Sequence, residues 1–160
     1  MRVYRILKIP YNTDPLSVVG SEISPGRWNQ KGQGLLYTAS HPALALVETM
    51  AHFEDKPLHK LPELKLFELE VDEALIGTIH PAALPPGWNG LGTLTLTQPF
   101  LDEWIENPDN SGFSYLGVSV PSAILEMSVN YLFAPKHSVF SSIRLIKTWP
   151  LLLDHRIWRL

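Results

Sequence analysis

The sequence contains no cysteine, which excludes disulfide staples, cysteine-bearing zinc sites and a thiol nucleophile together. It has no excess of positive charge either. Thirteen Lys and Arg stand against sixteen Asp and Glu, for a net charge of −3, so no global basic field draws the chain onto phosphate backbones. No direct nucleic-acid partner is expected. The longest apolar runs fall well below the roughly 20 residues of a membrane span, and the opening MRVYRILKIPYN has no apolar core of signal-peptide length. No membrane partner is expected, and the cytoplasm is the default address. Internal repeats, low-complexity tracts and charge blocks are missing too, so residues 1–160 read as a single domain.

What is present is ordinary for a globular chain. With 160 residues, 45% hydrophobic and 18% charged, the chain can bury roughly two thirds of its unfolded surface in a core. Fourteen prolines imply many short elements joined by ordered loops, because each removes a backbone donor and fixes φ.

Residues 2–9, β-branched and aromatic and bounded by Pro10, read as a strand. Residues 11–26 read as a polar loop, and 35–39 as a short buried strand. Ser40 offers itself as N-cap and Pro42 suits the first turn of a helix over about 41–53, with Leu44, Val47 and Ala51 at helical spacing. A polar loop over 54–62 precedes a strand over 64–71, and the proline- and glycine-rich residues 81–97 read as a long loop. A short helix over 98–106, a turn at 109–112, a strand over 113–120 and extended runs at 123–127, 142–148 and 151–158 complete the reading. Runs of strands with two helices interposed favour an α+β fold over a doubly wound sheet.

Residues 26–52 carry the chemistry. Arg27 lies in a rigid turn after Pro25 and Gly26, and its planar fork suits a phosphate. Tyr37 follows on a strand and Glu48 on a helix, so three consecutive elements present an arginine, a tyrosine and a glutamate. Three other readings compete in and around this stretch. Gly32 and Gly34 approximate the dinucleotide fingerprint GxGxxG, but Tyr37 stands at the third glycine and the pair precedes a strand, so they read as turn glycines. Glu48 and His52 share a helix face, with His41 nearby, but HExxH spacing is absent and no metal is expected. Ser122 and Ser128 lack the GxSxG elbow of a serine hydrolase.

At GRWNQKGQGLLYTAS followed by ALALVETMAH, and again at VYRI, VPSAILEMSVNYLFAPKH and DHRIW, the chain resembles the RES domain family, toxins of bacterial toxin–antitoxin pairs named for an arginine, a glutamate and a serine. The family's arginine falls on Arg27, its tyrosine on Tyr37, its glutamate on Glu48, its serine on Ser122 and a later asparagine on Asn130. The chain departs from the family's pattern at Glu126, Ser128 and Ala134. The resemblance implies a fold similar to ADP-ribosyltransferases, with a mixed, mostly antiparallel β core and a few helices. It also implies NAD⁺ as substrate rather than a bound cofactor, attacked at the nicotinamide–ribose bond by glycohydrolysis, phosphorolysis or transfer of ADP-ribose to a protein.

On that footing the catalytic set is Glu48, Arg27 and Tyr37. Arg27, Trp28, Tyr37, Ser122 and Asn130 bind substrate, and an Xre-type antitoxin is the expected partner. A binding module of the same fold without turnover is the alternative. Residues 149–153 offer an apolar surface for pairing two copies as a homodimer.

Overall fold

The computed structural model describes residues 1–9, 14–53, 62–90, 92–112, 114–154 and 156. Its frame is a seven-stranded sheet in the order β4-β5-β6-β2-β1-β3-β7. The strands are β1 (Arg2–Ile9), β2 (Leu36–Ala39), β3 (Glu63–Glu70), β4 (Ile76–Thr78), β5 (Gly117–Pro121), β6 (Val129–Phe133) and β7 (Arg144–Leu151). Only β4 and β5 pair in parallel; every other neighbour is antiparallel. The mixed, mostly antiparallel core and α+β class expected from the sequence are therefore what the chain forms.

Register follows charge and apolar pattern together. Arg2 and Arg144 both lie opposite Glu70, and both form ion pairs with it, as cross-strand pairs of opposite sign should. Along β3 the buried Leu64, Phe67 and Leu69 are interspersed with the polar Lys65, Glu68 and Glu70. Two residues the sequence reading places in separate runs, Thr148 and Leu151, belong to the single strand β7. Pro150 interrupts neither the strand nor its pairing with Lys65, because β7 is an edge, where a missing donor is tolerated.

The two faces of the sheet do different work. On one face Val3, Leu36, Leu69, Leu116 and Phe133 are buried beneath Leu16 and Val18 of the 14–18 segment. Arg5 ties that segment down by donating to the Pro15 and Ser17 carbonyls at 2.6 and 2.8 Å. Burial pulls its guanidinium down to about 10, an effect partly opposed by Asp14. The expected loop over 11–26 contains a short helix, α1 (Val19–Ile23), with no side-chain cap and no buried residue.

The opposite face carries the other helices. α2 (Pro42–Met50) packs Leu44 and Ala45 on Ala39, Tyr4 and Ile6. Its cap is His41, whose Nδ1 accepts the Ala43 N–H at 3.2 Å, and not Ser40. Farther along the same face, α3 (Leu94–Thr97), a 3₁₀ turn at Gln98–Leu101 and α4 (Asp102–Glu106) bury Leu101, Trp104 and Ile105 against Leu35, Val118, Val120 and Leu132. Residues 123–127, expected as an extended run, form a turn with Met127 99% exposed, and β6 begins only after it. The expected loop over 54–62 lies almost wholly outside the described residues, and so does the end of the 151–158 run.

Candidate active site

Arg27 sits in the turn between α1 and β2, and its setting is decided by a neighbouring asparagine. Asn29 is fully buried. Its Nδ2 donates to the carbonyls of Ser21 (2.9 Å), Gln30 (3.1 Å) and Gln33 (2.8 Å). Its Oδ1 accepts the Gly26 N–H at 2.9 Å and the Tyr37 hydroxyl at 2.7 Å. Gly26 is bare for a reason: a Cβ there would lie 2.6 Å from the Tyr37 hydroxyl oxygen. Farther round the loop Gly32 has φ +88, a left-handed turn that glycine adopts without strain, in line with the turn role read from the sequence.

Arg27 holds the segment opposite through one nitrogen. Nη1 donates to the Trp88 carbonyl, to the Gly90 carbonyl at 3.3 Å and to Thr93 Oγ1 at 3.0 Å. Among the described residues the Nε–Nη2 edge has no partner. That edge is the side-on fork that grips an oxyanion with two parallel hydrogen bonds. Tyr37 is the next member. Its hydroxyl gives its proton to Asn29 and accepts the Trp28 N–H at 3.1 Å. Burial raises its pKa, against smaller downward effects of that N–H and of Arg27, so the phenol is neutral at physiological pH and no proton shuttle.

The second half of the site is a carboxylate pinned by one oxygen. Glu48 Oε1 accepts from Ser122 Oγ at 2.8 Å and from Asn130 Nδ2 at 2.5 Å. Ser122 is fully buried, and its Oγ also accepts the N–H groups of Ile124 (3.1 Å) and Leu125 (3.0 Å). A hydroxyl has one proton and two lone pairs, and all three are used here. Ser122 is therefore an orienting group for Glu48, and among the described residues no histidine hydrogen-bonds to it to make it a nucleophile. Glu48 Oε2 has no hydrogen-bond partner among the described residues. Asn130 turns its remaining acceptor, Oδ1, to an enclosed position where none of the described residues donates to it.

Sheet register brings the two halves together. Tyr37 lies opposite Leu132 and Ala39 opposite Asn130, so Tyr37 and Asn130 share a face as diagonal neighbours about 7–8 Å apart. α2 begins three residues after β2 and folds back over that face, which brings Glu48 to Asn130. Asn89, between the two carbonyls that hold Arg27, donates to Glu126 on the turn that follows Ser122. Gln98 adds a bond from Nε2 to the Gly26 carbonyl at 3.1 Å.

Of the residues singled out in the sequence, Glu48, Ser122 and Asn130 are in direct contact, Tyr37 lies on the same sheet face as Asn130, and Arg27 is tied to the 88–93 segment, whose Asn89 bonds Glu126. Trp28 does not join as expected. Its indole is 4% exposed, stacked on Trp88 at 5.9 Å and tilted against Phe100, so it fills the core and only its backbone N–H serves the site. Asn29 and Thr93 are the members that the sequence reading omits, although Asn29 lies within the motif GRWN itself. No group of three or more His, Asp or Glu that could hold a metal occurs among the described residues. No helix among them is long and apolar enough to cross a membrane.

Fold and site together define an α+β domain that carries an arginine fork on one loop and an oriented carboxylate on a helix. The sequence model of the RES domain matches residues 2–154, and the chain belongs to that family. It is 32% identical over 142 residues to "Toxin Res" of Yersinia enterocolitica, covering 89% of each chain. It is 30% identical over 154 residues to the "Prs ADP-ribosylating toxin" of Sphingobium sp., covering 93% of this chain and 90% of that relative. Among solved structures, the crystal structure of the M. tuberculosis MbcT-MbcA toxin-antitoxin complex has a chain of the same fold. The TM-score is 0.71 at 19% identity, over 94% of this chain and 83% of that one.

Proposed function

We propose that this chain is the toxin of a toxin–antitoxin pair and that it consumes NAD⁺ by cleaving the bond between nicotinamide and ribose. The observation that carries the reading is the Glu48 carboxylate, held through Oε1 by Ser122 and Asn130 while Oε2 has no partner among the described residues. Loss of nicotinamide leaves an oxocarbenium-like ribose, as in glycoside cleavage, and a fixed carboxylate beside it stabilises that positive charge without having to reorganise. The electron pair of the breaking C1′–N bond goes to the pyridinium nitrogen, so nicotinamide departs neutral and needs no general acid. A lone pair of the incoming water, phosphate or protein acceptor forms the new bond at C1′, and its proton passes to Glu48 Oε2 or to solvent.

The remaining groups divide the substrate between them. The Nε–Nη2 edge of Arg27 takes the pyrophosphate, the Tyr37 ring packs against the nicotinamide or its ribose, and Asn130 stands beside that ribose through Glu48. The curated relatives named as toxins, one of them as ADP-ribosylating, support this chemistry for the chain. The related toxin-antitoxin complex supports a protein neutraliser, which we take to be an Xre-type antitoxin, with the cytoplasm as the place of action.

Purified protein incubated with NAD⁺, with and without phosphate, tests the reading. Nicotinamide release is expected, with ADP-ribose, its 1″-phosphate or a modified protein as the second product. A wild type that releases none, or a Glu48→Gln variant as fast as wild type, overturns it. Binding of NAD⁺ by calorimetry without product over hours would instead define a binding module.

A further inference from the structure

We infer that Asn29 is a positioning residue for substrate capture, acting through Arg27 and Tyr37 at once; the inference rests on the NAD⁺ reading above. Three observations combine. Asn29 is fully buried, and both ends of its carboxamide are engaged. Its Oδ1 accepts the N–H of Gly26, the residue immediately before Arg27, and so fixes the turn from which the guanidinium leaves the backbone. The same Oδ1 accepts the hydrogen bond of the Tyr37 hydroxyl at 2.7 Å, which turns the hydroxyl toward the 26–29 turn and sets the ring.

The carboxamide cannot be replaced by a simpler group without loss on one side. Its nitrogen end faces three carbonyls, which can only accept, and its oxygen end faces two donors, so only a side chain with a donor end and an acceptor end satisfies the loop. Asn29→Asp keeps the oxygen for Gly26 and Tyr37 but presents a second carboxylate oxygen to the three carbonyls. The loop must then shift. The Arg27 fork and the Tyr37 ring shift with it, whereas Glu48 does not, because it is held separately by Ser122 and Asn130.

The effect should therefore fall on capture of the dinucleotide and not on bond cleavage. Asn29→Asp is expected to raise KM for NAD⁺ roughly tenfold, the loss of one charge-assisted contact, with kcat within about twofold. The Ki of ADP, which presents a pyrophosphate alone, should rise by the same factor. A merely structural role gives the opposite split, since a smaller folded fraction lowers the apparent kcat and leaves KM alone. Asn29→Gln, which keeps both ends but displaces them by one methylene, should show the same KM-weighted loss and serves if the aspartate does not fold.

Unchanged KM and Ki in the folded variant, or equal losses in kcat and kcat/KM, overturn the inference. If the wild type releases no nicotinamide, the functional reading falls and calorimetry with ADP-ribose decides Asn29 by itself. Weaker binding by the variant supports the positioning role; equal binding, or no binding by the wild type either, ends it.

Discussion

Ser122 and Glu48, 74 residues apart in the chain, are joined by a 2.8 Å hydrogen bond in which the serine spends its only proton. Ser122→Ala removes that donor and leaves the Ile124 and Leu125 amides without their acceptor. We expect nicotinamide release to fall about tenfold, against about 10²–10³ for Glu48→Gln. We also expect about 1–3 kcal/mol of lost stability in the alanine variant, from the unpaired amides. A serine-directed phosphonate should leave the wild type unlabelled, and labelling at Ser122 would contradict the orienting role.

Arg27 provides a second test, because one of its nitrogens is structural and the opposite edge has no partner among the described residues. Arg27→Lys retains a positive charge that can reach the Trp88 carbonyl or Thr93, but it has no planar fork. NAD⁺ binding by calorimetry should weaken at least about tenfold while the melting temperature changes little. Arg27→Ala should lose both, since the segment around Trp88 is then untied.

The Tyr37 phenol lies above its ordinary value of 10.0, chiefly through burial. A raised folded-state value means that the protonated phenol favours the native state. Its contribution is fully present below about pH 10 and is lost as pH rises toward the folded-state value. Urea titrations between pH 9 and 11 should show stability falling with pH, and Tyr37→Phe should flatten that fall. No activity limb between pH 7 and 9 should belong to this residue.

Trp28→Ala should act on stability. The indole is 4% exposed between Trp88 and Phe100, so truncation leaves a cavity that costs about 3–5 kcal/mol. The urea midpoint should drop with little change of slope. Trp28→Phe, which keeps a ring against Trp88, should cost clearly less and retain activity.

Where local chemistry decides an element, the sequence shows it. Pro42 in the first turn and the apolar spacing of Leu44 and Val47 mark α2, and with it Glu48. The alternating run of β3 is equally visible. Elements decided by distant contacts are not. Asn29 looks like one more polar residue in a loop until Ser21, Gln33 and Tyr37 close round it. The apolar composition of residues 123–127 suggests an extended run, yet Ile124, Leu125 and Met127 stand exposed on a turn. That turn is held by the Ser122 hydroxyl, not by burial. His41 takes the cap from Ser40 because its ring nitrogen reaches the Ala43 N–H, a geometry that residue type alone does not announce.

The order in which the chain emerges during synthesis adds a last consequence. Glu48 is made before its partners, which follow 74 and 82 residues later, and β6, which carries Asn130, lies between β5 and β2 near the middle of the sheet. A nascent chain that has not yet released residue 130 into solution lacks both the central strand and the pinned carboxylate. On the proposed chemistry such a chain would stay inactive until residue 130 is free to pair, and fragments cut between Glu48 and Ser122 would be inactive as well.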